Sequence, residues 1–174
     1  MRRLSARYIA GETLSSALER LRDLRSRGFA GVLDVLGEDV ADATHARAAL
    51  AGYVEAADAT VREGLDAYVS IKPTHFGLRL SSELAFDLYS ELLSHCRAKG
   101  QFARIEMEDH TTTDATLRLF SRLRAAGFDN VGIVLQARLF RTTDDIAKLP
   151  SGPLDVRMVK GIYLEPSDIA HTEP

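Results

Sequence analysis

The chain has 174 residues, 45% of them apolar and 27% charged, with 12 glycines and 5 prolines, which is the composition of one globular domain and excludes a disordered or fibrous chain. A formal charge of −3, with acidic and basic residues interspersed, speaks against a nucleic-acid surface. No apolar run is long enough for a spanning helix and none follows the first two arginines as a secretory leader requires; the single cysteine, Cys96, excludes an internal disulfide and suits the cytoplasm.

In chain order, Thr13 is placed to cap a helix over 14–27, with Ser16 and Glu19 at capping-box spacing. Gly28 closes it and a β-like run follows at 31–36. A second helix-like stretch ends at Gly64 and gives way to Ala67-Tyr68-Val69-Ser70-Ile71-Lys72. Ser81 caps a helix to Lys99, Gly100 ends it, and a run at 103–107 follows. Thr113 caps a helix to Ala126, with Asp114 at its positive end, and Gly127 leads into 131–136. Thr142 or Thr143 precedes Asp144-Asp145 in the same manner. The turn Pro150-Ser151-Gly152-Pro153 then opens a fifth run at 156–160.

The four closing glycines stand 36, 36 and 27 residues apart. Strand and helix alternating at that period are the signature of parallel βαβ units, because helix-length crossovers cannot be hairpins. An open doubly wound sheet would carry G-x-G-x-x-G after its first strand, where Leu36-Gly37-Glu38-Asp39 stands instead. The pattern favours a (βα)8 TIM-like barrel of α/β class. Only about its first five βα units are present, in one domain over 1–174 with a helix before them; a barrel typically needs about 250 residues.

Buried parallel strands read as near-continuous hydrophobic runs, and these do not. Lys72 ends the second, Glu106 sits in the third, Gln136 ends the fourth, and Arg157 and Lys160 occupy the fifth. Barrel active sites lie at the C-terminal ends of strands. Cations, a carboxylate and an amide, without a nucleophile–base pair, suit holding an anionic or polarisable ligand better than acyl transfer. Two other readings stay open. A Lys72–Glu106 pair could simply tie adjacent strands together. Glu106, Glu108, Asp109 and His110 could serve a divalent-metal barrel hydrolase or isomerase, although neighbours along a strand face opposite ways and the five histidines form no H-x-H or H-E-x-x-H pair.

Five segments in order resemble bacterial proline dehydrogenase of the monofunctional type. They are Tyr8-Ile9-Ala10-Gly11-Glu12-Thr13-Leu14; Val69-Ser70-Ile71-Lys72 with Phe76-Gly77-Leu78; Arg104-Ile105-Glu106-Met107-Glu108-Asp109; Gly132-Ile133-Val134-Leu135-Gln136-Ala137; and Val156 to Tyr163. The resemblance implies an FAD-dependent barrel that oxidises L-proline to Δ1-pyrroline-5-carboxylate. By it, Glu106 and Arg157 are catalytic, with Arg157 near the flavin atom that accepts hydride. Lys72 holds the substrate carboxylate and Tyr163 packs beside it. Met107, Gln136, Lys160, Gly161 and Ile162 line the flavin. No resident metal is implied. A quinone acceptor, and with it peripheral contact with the inner face of the membrane, also follows from the family. The sequence departs from the pattern at Glu106, where aspartate is usual, at Pro73 for leucine and at Arg138 for tyrosine.

The family's later strands and its helix with paired arginines have no counterpart, so the chain reads as a fragment. The expectation is little proline oxidation from the chain alone. Its open sheet should be marginal and aggregation-prone, or else be completed by another chain or a second copy.

Overall fold

The computed structural model describes residues 11–173; Tyr8-Ile9-Ala10 of the first resembling segment lie outside them. Five strands alternate with helices. The order is α1 (Leu14–Ser26), β1 (Gly31–Leu33), α2 (Ala43–Arg62), β2 (Ala67–Ile71), a 3-10 turn (Pro73–Phe76), α3 (Ser82–Arg97), β3 (Ala103–Ile105), α4 (His110–Ala125), β4 (Val131–Gln136), α5 (Thr142–Ala147) and β5 (Val156–Val159). All pairings between the five strands are parallel, in the order β1-β2-β3-β4-β5. A doubly wound sheet reverses its strand order at a switch point. This one never does, which is the winding of a barrel.

The pleat explains the polar residues inside the strands. Side chains alternate between faces. One face carries Val69, Ile71, Ala103, Ile105, Val131, Ile133 and Leu135, each at most 3% exposed in the core beneath the helices. The other carries Tyr68, Ser70, Lys72, Arg104, Glu106, Gln136 and Arg157. Its floor is a packed knot. The Arg104 guanidinium donates to Tyr68 Oη at 3.1 Å and to Asp155 at 2.7 Å, over the rings of Tyr68 and Phe102. Gly132 sits beneath it, where a Cβ would run into Phe102, the Asp155 carbonyl and Arg104.

Buried small residues on α2, among them Ala46, Ala56, Ala57 and Ala59, let the helix lie close to the sheet. The four closing glycines all adopt positive φ, between +61° and +88°, as a helix-ending residue without a Cβ can.

Helix starts depart from expectation in places. Thr13 does cap α1, accepting from Ser16 N at 3.3 Å, so Ser16 lies inside the helix and the Ser16–Glu19 spacing forms no box. Ser81 caps α3 as expected. The start of α4 is Asp109, not Thr113: the Asp109 carboxylate accepts from Thr111 N at 2.8 Å, and Thr113 is buried one turn later. Neither threonine caps α5. Arg141 occupies the cap position in helical conformation, and the Thr142 hydroxyl donates to Gln136 O at 2.6 Å.

Strands β1 and β3 stop at Leu33 and Ile105, short of the expected 36 and 107. Beyond Leu33 the chain leaves the ladder and is held by Tyr53 Oη, which donates to Asp34 at 3.0 Å and to Val35 O at 3.1 Å.

Candidate active site

Parallel register aligns the site. Ile71 pairs with Ile105, Ile105 with Ile133, and Val134 with Arg157. One step further along β2 and β3, Lys72 and Glu106 join Val134 and Arg157 in a single row at the C-terminal ends of the strands. Val134 is the short member, so the long side chains of Glu106 and Arg157 meet across it: an Arg157 Nη2 donates to Glu106 Oε1, which also accepts from Ser70 Oγ. The alternative left open, a Lys72–Glu106 tie between adjacent strands, is not formed. Lys72 Nζ instead faces Glu38, 3.3 Å away in the loop after β1.

Lys72, Glu106, Met107, Gln136, Gly161, Ile162 and Tyr163, all expected at the site, line one cavity of about 310 Å3 together with Asp34, Val134 and Val159. A roomier groove of about 580 Å3 runs over α2, but it is an exposed helix surface without a convergent set of buried polar groups. Arg157 stands at the cavity edge through its bond to Glu106. Lys160 is not brought in: it follows the last residue of β5, faces solvent, and contributes only its carbonyl, which accepts from Arg138 N at 3.1 Å.

Polar atoms in the cavity wall lack partners. Gln136 is 2% exposed; its Nε2 donates to Glu108 O at 2.8 Å, leaving Oε1 buried with none, and Arg157 Nε is in the same condition. Buried polar atoms are normally satisfied; others among the described residues are unpartnered too, such as Thr116 Oγ1 and Asn130 Oδ1, but these two lie at the cavity. Desolvation raises the Asp34 carboxyl above its ordinary range against the lowering effect of the Tyr53 hydroxyl. It also raises the Tyr163 phenol, and it lowers His75, helped by the charge of Lys72. The Lys72 ammonium is already paired with Glu38, so an incoming anion would have to exchange with that carboxylate.

The acidic cluster does not converge. Glu106 bonds Ser70 and Arg157. Glu108, 2% exposed, accepts from Thr74 N at 2.9 Å and Thr74 Oγ1 at 2.7 Å. Asp109 caps α4 and pairs with Arg79, and His110 pairs with Glu165. Each group is committed to a different partner, so the metal-hydrolase reading loses its donor set.

Sequence reasoning passed over Asp34, Ser70, Glu38 and Val134. Strand parity could have found two of them: Ser70 lies two residues before Lys72, and Val134 two before Gln136, on the same face.

The proline dehydrogenase family model matches residues 17–173. The chain is 33% identical to proline dehydrogenase of Deinococcus radiodurans, covering 98% of this chain and 56% of that protein. It is 32% identical to proline dehydrogenase 1 of Bacillus subtilis strain 168, covering 97% and 56%. The chain thus spans a little over half the length of these relatives. Among solved structures, proline utilization A from Bdellovibrio bacteriovorus, inactivated by N-propargylglycine, superimposes with a TM-score of 0.76 at 22% identity, over 88% of this chain and 20% of that one. With matched sequence over nearly its whole length and a sheet wound as a barrel, the chain belongs to the proline dehydrogenase family.

Proposed function

We propose that the cavity at the ends of β2 to β5 binds FAD and L-proline and serves the oxidation of L-proline to Δ1-pyrroline-5-carboxylate. The observation that carries this reading is Gln136 Oε1, buried without a partner in a wall where Met107, Val134, Val159 and the bare backbone of Gly161 stand beside Asp34, Lys72 and Glu106, with the unpartnered Arg157 Nε at its edge. A flat ring edged with amide groups needs apolar faces, a fixed amide and a nearby cation, and the residues present fit it.

When bound, FAD supplies the two-electron acceptor: proline loses a hydride and a proton, and a C=N bond forms. The rest falls to this chain. Arg157 would hold a guanidinium toward the ring, a cation able to balance negative charge on reduced flavin. Glu106 and Ser70 keep that guanidinium in place, making Glu106 the group that aims Arg157. Lys72 offers a point charge to the substrate carboxylate, in exchange for its 3.3 Å contact with Glu38. Tyr163 keeps its proton, since desolvation raises its phenol, and acts as a neutral wall beside the substrate. Ile162 stands at the mouth of the cavity with most of its side chain in solvent. The same family likeness supports a quinone as the next electron acceptor; among the described residues no helix is long and apolar enough to cross a membrane.

The test is titration of FAD with the purified protein, followed by anaerobic addition of L-proline. A yellow complex whose flavin fluorescence is quenched on binding, with Gln136→Leu and Arg157→Met each weakening it about tenfold, supports the reading. Bleaching by proline supports the substrate. Absence of any flavin complex overturns it.

A further inference from the structure

The segment after β5 forms no helix, yet it delivers Gly161 and Tyr163 to the cavity. Two polar anchors hold it. The first is Arg138, just beyond β4. Its Nη1 donates to Tyr163 O at 2.8 Å and reaches Gly161 O at 3.5 Å, while Nε and Nη2 donate to His171 O at 3.2 and 3.1 Å. Backbone bonds run alongside: Arg138 N to Lys160 O at 3.1 Å, Phe140 N to Ile169 O at 3.0 Å, and His171 N to Arg138 O at 2.8 Å. One guanidinium thus gathers carbonyls from both ends of an eleven-residue excursion, 161–171.

The second anchor is Glu165 in the middle of that excursion. Its side chain is fully buried, accepts from His110 N at 3.0 Å in the first turn of α4, and pairs with the His110 ring. A carboxylate is costly to bury unless its bonds are made, so this contact fixes the segment to α4 rather than merely touching it. Gly161 shows how closely the result is fitted. It has φ +101°, and a Cβ there would fall on Gln136 Oε1 and on the Arg138 stem, 2.8 Å from Cδ and 3.1 Å from Cγ. The aliphatic part of Arg138 is the floor under the glycine, and its guanidinium is the tie.

We infer that Arg138 and Glu165 are positioning residues for the cavity, clamping segment 161–171 so that Gly161 and Tyr163 form its wall. Ligand affinity then depends on the clamp as well as on the groups that touch the ligand. This rests on the cavity being the flavin and proline site. The family's usual tyrosine at position 138 has no guanidinium to gather three carbonyls, so the clamp is a property of this chain's arginine.

The experiment compares Arg138→Met, Arg138→Lys and Glu165→Gln with a control, Arg124→Met. Arg124 also ties backbone carbonyls, those of Phe128 and Pro153, but away from the cavity. Two quantities are read: hydrogen exchange at the Phe140 and His171 amides, and FAD affinity from fluorescence quenching. The expected result for Arg138→Met and Glu165→Gln is about tenfold faster exchange at both amides and about tenfold weaker FAD binding. Arg138→Lys should recover part of each, because an ammonium cannot span carbonyls as a planar fork does, and Arg124→Met should move neither. Unchanged exchange, or faster exchange with FAD affinity within about twofold of the parent, overturns the inference. If Arg138→Met does not fold, Arg138→Lys and Glu165→Gln decide it by the same criteria. Should the unsubstituted protein bind no FAD, the flavin reading fails separately, and exchange at the two amides decides whether the clamp exists.

Discussion

Glu106 accepts from Ser70 and from Arg157 with one oxygen, and it is the residue on which the inner face turns. Replacing Arg157 with methionine leaves a largely buried carboxylate with a single neutral donor. The expected cost is about 2 kcal/mol in chemical denaturation, in the range for a lost bond to a charged group; a loss below about 0.5 kcal/mol would mean the pair is dispensable. Glu108 tests the acidic segment differently. Desolvation raises its carboxyl above the ordinary glutamate value, with the two Thr74 bonds opposing. The folded-state pKa lies above the unfolded one, so the stability this group contributes is full below the unfolded value and is lost as pH rises through the folded one. Glu108→Gln cannot ionise. Its denaturation midpoint relative to the parent should therefore improve as pH rises from the unfolded glutamate value through the folded one and level off above it, and a flat or falling difference would refute the assignment. The sequence revealed that Lys72, Glu106, Gln136 and Arg157 share an end of the sheet, because strand spacing encodes that. It did not reveal who pairs with whom. Lys72 turns to Glu38 because the loop after β1 brings a carboxylate to it, and loop geometry leaves no periodic trace.

At the level of elements, closing glycines and strand centres were legible, since both follow from local backbone chemistry. Helix starts were less so. Around α4 the run Glu108-Asp109-His110 looked like chemistry, which hid the capping role of Asp109. Asp109→Ala should cost about 1–2 kcal/mol, combining a lost cap with the lost Arg79 bond. Thr113, whose hydroxyl is buried without a partner, should tolerate valine within about 0.5 kcal/mol. Equal losses at the two positions, measured by thermal or urea unfolding, would restore Thr113 as the cap.

Over the whole molecule, the sheet has two edges, β1 and β5, and apolar side chains gather there: Val32, Val156 and Met158 are 37–46% exposed, and Ile162 and Leu164 far more. Unpaired strand edges flanked by apolar surface invite association. The 174-residue chain should show concentration-dependent self-association in sedimentation, reduced by Val156→Lys with Met158→Lys. A cooperatively folding monomer at high concentration would count against this.

The alternation along each ribbon has a practical consequence. Side chains that pack beneath the helices and side chains that line the cavity or its floor alternate along each strand, one set turned outward and the other to the inner face. A library that varies only Ser70, Lys72, Val134 and Gln136 would leave every helix-facing side chain of the sheet untouched, so new chemistry could be sought here without redesigning the architecture that carries it.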